Sequence, residues 1–142
     1  MAKNRLEISY DFDFHLVALN TSVKEYKLAW GLNRELNLEL AKKHNISIDF
    51  QGGKSLSISN FVCEKEYQIF RLLKNRAENF DDQYNAYLIP EMKNFDYFLM
   101  VADDSTTFEI NPFISTIKQI PFVQFAVSVD TAVLRSKDNL IF

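Results

Sequence analysis

A single cysteine, Cys63, stands in a chain of 142 residues. It cannot form an internal disulfide, and a reducing compartment is the natural setting. Histidine is scarce, with two isolated residues, His15 and His44, so no metal-ligand spacing can be read. Three Gly and three Pro leave few stretches irregular by composition. No run approaches the roughly 18 apolar residues of a membrane span. Residues 1–7 lack the apolar core of a signal peptide. Positive charge is not in excess: 16 Lys and Arg face 19 Asp and Glu, for a net charge of −3. This argues against broad phosphate-backbone binding, and so against nucleic acid as a partner. The expectation is a cytoplasmic protein with no membrane segment, no metal and no cofactor.

What is present suits one globular domain over residues 1–142. Apolar residues make up 47% and charged residues 25%, and a chain of this length buries a sizeable core without staples. Thirteen Phe and six Tyr fit a sheet-rich core better than a helical bundle.

Residues 6–18 alternate with period two. Leu6, Ile8, Tyr10, Phe12, Phe14, Leu16 and Ala18 fall on one face and Glu7, Ser9, Asp11, Asp13 and His15 on the other. This predicts a strand with one face on the core. The acidic face with His15 reads as a solvated surface before a cation site, because side chains along one strand splay apart. Ser22 and Glu25 have capping-box spacing, which predicts a helix over about 23–36 or on to about 43. A strand at 46–50, a turn through Gly52-Gly53-Lys54, and strands at 55–64 and 67–73 follow. Gly52-Gly53-Lys54-Ser55 lacks the first glycine and the following helix of a phosphate loop, so a hairpin is the reading. Cys63 reads as a core residue rather than a nucleophile. Arg71, Lys74 and Arg76 form one basic cluster, read as a solvated strand end. Asp81, Asp82 and Asn85 lack calcium-loop spacing, and Phe80 and Tyr84 are expected to pin that loop. Asn111-Pro112 predicts a helix start. Phe122–Val129 suits an interior strand, and Leu140-Ile141-Phe142 should dock on the body or on a second subunit.

The stretch from Tyr87 to Val101 reads as strand, polar bend, strand. Within it Ile89-Pro90-Glu91 is followed, three residues on, by Phe95-Asp96-Tyr97. This spacing resembles the IPExxxVDY family of small bacterial proteins, with Phe95 where that motif has valine. The Tyr26–Trp30 segment is also similar to one that family members carry. The resemblance implies a family and no activity. Two readings of the motif compete. In one, Glu91 and Asp96 accept amide protons around Met92–Asn94 and lock a bend beside Pro90. In the other, Glu91, Asp96 and Tyr97 do acid–base work in a cleft. Tyr26, Trp30 and Asn33 form a candidate binding flank, with Asn33 equally readable as a buried amide satisfied at a strand end.

The expected fold is α+β: a two-layer, mainly antiparallel or mixed sheet of six or seven strands with both helices on one face. A closed, barrel-like sheet is the alternative. The expected function is a non-enzymatic binding or scaffold domain with a protein partner or a second copy of itself. The alternative is a small enzyme or ligand sensor using Glu91, Asp96 and Tyr97.

Overall fold

The computed structural model describes residues 14–49, 53, 55–79, 86–104 and 108–142. Among the described residues six strands form one antiparallel sheet: β1 (His15–Thr21), β2 (Ala41–Asp49), β3 (Ser55–Glu64), β4 (Gln68–Lys74), β5 (Tyr97–Asp103) and β6 (Val123–Val129). Their order is β2-β3-β4-β5-β1-β6. Two helices, α1 (Glu25–Leu36) and α2 (Ile110–Lys118), complete an α+β fold. Every strand pair is antiparallel, so neither strand–helix–strand unit adds a parallel pair.

The most apolar strands take the centre. Leu16, Val17, Ala18 and Leu19 are all buried, so β1 is covered on both faces between β5 and β6. Of the expected solvated face only His15 is described, and it is exposed; beyond it on the same side Val17 and Leu19 lie under the helices. Residues 6–13 of the expected strand lie outside the described residues. β5 is covered on both sides, as its alternation predicts: Tyr97, Leu99 and Val101 face the helices, and Phe98 and Met100 face the opposite core.

Both helices lie on one face. Leu28, Ala29 and Leu32 of α1 and Ile114 and Ile117 of α2 share one apolar cluster with the sheet. Each of these Leu and Ile side chains contributes about 1.5–3 kcal/mol on burial. The Ser22/Glu25 capping box does not form. Lys24 precedes the helix, without a side-chain cap. Instead the Thr21 hydroxyl accepts the Val23 amide at 3.3 Å and donates to the Phe122 carbonyl at 2.6 Å, tying the entry to the α2–β6 connection. α1 stops at Leu36 and does not run to 43, because Asn37 turns left-handed at φ 55°, a conformation Asn tolerates. Gly31 sits inside α1 because a Cβ there would lie 2.5 Å from the Phe122 ring. α2 begins at Ile110, ahead of the expected Asn111 cap, and takes Pro112 into its first turn, where no amide partner is needed.

The opposite face is covered by chain without long helices. Ala77, Ala86, Leu88 and Ile89 before β5, and Leu134 and Leu140 after β6, close a second core over Leu16, Ile58, Leu73 and Phe98. Leu140 docks there, while Ile141 and Phe142 stay partly exposed with Arg71 over the Phe142 ring at 5.5 Å. β2 starts at Ala41 rather than 46. Its first half is polar and exposed at a sheet edge, so hydrophobic alternation carries no sign of it. β6 is the other edge strand and not an interior one, with Gln124, Phe125 and Ser128 exposed. β2 and β3 form the expected hairpin, Asp49 pairing with Ser55; of the connection only Gly53 is described.

Candidate functional site

The motif does not form the expected first strand. Tyr87 makes one isolated bridge to Arg76, and Pro90–Met92 is a short 3-10 turn. Ile89 is fully buried in the second core, which anchors the turn. Proline opens that turn because its missing amide has no partner to lose. The Met92 amide donates to the Ile89 carbonyl and the Phe95 amide to the Met92 carbonyl, each at 3.0 Å. The bend is thus held by backbone, and the expected Glu91 and Asp96 contacts at 92–94 are absent among the described residues.

Glu91 reaches instead across to the C-terminal segment. Its two carboxylate oxygens accept the Ser136 amide and the Ser136 hydroxyl, each at 2.7 Å. Burial pushes its carboxyl up, but hydrogen bonds from the Ser136 hydroxyl and from the Glu91, Ser136 and Arg135 backbone together outweigh this and hold it below the ordinary value. Asp96 ties two strands. Its Oδ2 accepts the Thr21 amide at 3.0 Å, and its own amide donates to the Asn20 side-chain oxygen and the Leu19 carbonyl. Glu91 and Asp96 thus serve different joints of the fold.

The residue that gathers the motif is Asn75, directly after β4 and 1% exposed. Its side-chain nitrogen donates to the Met92 and Phe95 carbonyls, each at 3.0 Å, and its side-chain oxygen accepts the Ile89 amide at 2.9 Å. Its backbone donates to the Asp96 carbonyl and accepts from Leu88. Sequence reasoning missed it. Among the described residues Asn75 is one of only four buried polar ones, but a lone asparagine between Lys74 and Arg76 shows no sequence signal of burial.

Where β1 and β4 end and β5 begins, the surface dips into a cleft of about 210 Å³ lined by Thr21, Lys74, Arg76, Tyr87, Lys93, Phe95, Asp96 and Tyr97. Asp96 and Tyr97 meet there; Glu91 does not. Burial, then the nearby Glu25 and Asp96 carboxylates, pushes the Tyr97 phenol up to about 12. It is therefore a neutral hydrogen-bond donor at physiological pH. The expected basic cluster splits, since Lys74 and Arg76 line this cleft and Arg71 sits over Phe142.

Tyr26 and Trp30 are 65% and 55% exposed on the outer side of α1, with the Arg34 guanidinium over the Trp30 ring at 5.5 Å. Asn33 turns the other way. Its amide group donates to the Leu40 carbonyl at 3.1 Å and accepts the Leu40 amide at 2.8 Å, so it fixes the path from α1 into β2. Cys63 is buried and its sulfur accepts the Glu39 amide at 3.4 Å. His15 packs against Phe108. Glu7, Asp11, Asp13, Phe80, Asp81, Asp82, Tyr84 and Asn85 lie outside the described residues. Among the described residues no group of three His, Cys, Asp or Glu is placed to hold a metal, and no helix is long and apolar enough to cross a membrane. No family model matches this chain, and no curated protein matches it.

Proposed function

We propose that this chain, which resembles the IPExxxVDY family, is a cytoplasmic, non-enzymatic binding domain that engages a protein partner or a second copy of itself through the outer face of α1. The observation that carries this reading is the exposure of Tyr26 and Trp30 side by side on a helix whose opposite face is buried. Large exposed aromatics next to an arginine are the usual anchors of protein interfaces. The motif supports it as well. Glu91 has both oxygens engaged by Ser136 and stands outside the cleft, which leaves the acid–base alternative without one of its three residues. A ligand sensor built on Asp96 and Tyr97 alone keeps a cleft and is the second reading.

The test is affinity purification of the tagged chain from native extract beside a Tyr26→Ala/Trp30→Ala variant, with mass spectrometry of the captured proteins and light scattering of the purified chain. A partner, or a dimer mass, that the variant loses supports the reading. Trp30 is the only tryptophan, so its fluorescence reports the contact directly. A partner held equally by both chains, with Trp30 emission unchanged, overturns the α1 surface.

A further inference from the structure

The outer edge of β6 carries an inference independent of the α1 surface. We propose that β6 pairs antiparallel with β6 of a second copy of this chain, about a two-fold axis at Val127. The two edges of the sheet differ in chemistry. β2 carries Lys42, Lys43 and Asp49, and its register breaks between Lys43 and Ile46. Charges and bulges of this kind guard an edge against strand addition. β6 has no such charge. The eleven residues from Gln119 to Val129 hold no Asp, Glu, Lys or Arg, in a chain where 25% of residues are charged. Among the described residues β1 alone pairs with β6. That register shifts where Gln124 is taken up, but from Phe125 to Val129 the pairing is regular. This span therefore presents a regular row of backbone donors and acceptors on its outer side.

The layers on either side of the sheet stop short of this edge. Ser128, opposite Val17 on the helix side, is exposed, and so is Phe125 on the other side. What favours a second copy over any other strand is self-complementarity. A two-fold at Val127 sets Phe125 opposite Val129 of the second copy, Ala126 opposite Ser128, and Val127 opposite itself. Phe125, Val127 and Val129 all lie on the second-core side: the two valines pack on that core, and Phe125 stacks on Phe95 at 5.9 Å. The two copies thus bring these apolar side chains into one cross-strand row, aromatic against β-branched at both ends. On the helix side only Ala126 and Ser128 meet, and their small side chains let the backbones close to strand spacing. No like charges face each other. Such a pairing is isologous and closes as a dimer. Two six-stranded sheets become one, and its remaining edges are the two guarded β2 strands.

The experiment is sedimentation equilibrium of the full chain over a concentration series. Beside the wild type stand Phe125→Lys and Ser128→Lys, one charge on each side of the strand. Ser47→Lys on edge strand β2 and Tyr26→Ala/Trp30→Ala on α1 are the controls. A dimer whose dissociation constant rises about tenfold or more in each β6 variant, and is unchanged in the controls, supports the pairing. A chain that is monomeric throughout overturns it, whether another protein or another segment of this chain holds the edge. A dimer kept by both β6 variants overturns it too; if Tyr26→Ala/Trp30→Ala loses that dimer, it belongs to α1. A second readout tests the axis. Val127→Cys sets two thiols face to face with Cα atoms about 4.5–5.5 Å apart, within disulfide reach, whereas Ser128→Cys faces an alanine. Native Cys63 is buried and does not compete. Faster covalent dimer formation by Val127→Cys than by Ser128→Cys under mild oxidation supports the two-fold at Val127, and equal rates overturn it. Phe125 and Ser128 are both exposed, so their lysine variants keep the folded circular dichroism spectrum, and a dimer lost at unchanged spectrum belongs to the edge.

Discussion

Glu91 and Ser136 meet at 2.7 Å across 45 positions of sequence, carboxylate to hydroxyl and carboxylate to amide. The contact fastens the turn before β5 to the segment after β6, and both lie over the second core. Glu91→Gln keeps an acceptor for the Ser136 amide but exchanges the charge-assisted contacts for neutral ones, with the amide nitrogen donating to the Ser136 hydroxyl. The expected loss is about 1–2 kcal/mol in denaturant unfolding, since the site is only part-buried. The pH dependence has a definite sign. The folded Glu91 value lies below its ordinary 4.5, so its contribution is full above about that pH and fades as pH falls through the lowered folded value. Wild type and Glu91→Gln should therefore converge in stability toward acid. A gap that stays constant with pH contradicts the assignment.

Asn75 offers a sharper substitution. Asn75→Asp preserves shape but turns two donated hydrogen bonds into a carboxylate facing the Met92 and Phe95 carbonyls. With the residue 1% exposed, the expected loss is roughly 2–4 kcal/mol. Chemical denaturation measures it, and a change below about 1 kcal/mol would show that the motif does not depend on this hub.

Tyr97 titrates near 12 in the folded chain against an ordinary 10.0. A raised acid value stabilises the fold fully below pH 10 and ceases to do so as pH rises from 10 toward 12. Phenolate absorbance should show a late-titrating component that Tyr97→Phe removes. If the variant leaves the titration curve unchanged, the burial of this phenol is wrong.

Two phenylalanines test the centre and the edge of the sheet. Phe98 is fully buried and Phe125 is 49% exposed. Phe98→Ala should cost about 3–5 kcal/mol. Phe125→Ala should cost about 1 kcal/mol or less, mostly its stacking on Phe95. Equal losses in denaturant unfolding would contradict this placement of β6 at the edge.

Where burial leaves a periodic trace, the elements were readable. The alternation of Phe95, Tyr97, Leu99 and Val101 places β5, and Leu28, Leu32 and Leu36 place α1, though not whether it ends near 36 or near 43. Where a tertiary contact replaces a local one, they were not. Thr21 bonds Phe122 and displaces the Ser22 capping box; Glu91 finds Ser136 instead of its own bend. Both partners lie far away in sequence, and no local spacing encodes them. Edge strands misled in opposite ways, β2 by being polar and β6 by being apolar. The cleft combines Lys74 and Arg76 with Lys93, and sequence shows the first pair as a basic run and the third as an isolated lysine in a turn.

The place of β1 bears on how the chain is made. Its neighbours in the sheet are β5 and β6, both made after it, and the first of them, β5, begins at Tyr97, 76 positions after Thr21. At roughly 5–20 residues per second, translation leaves this apolar segment without a mate for about 4–15 s. Closure of the sheet thus depends on pairings distant in sequence, which slows folding and leaves apolar surface uncovered for longer.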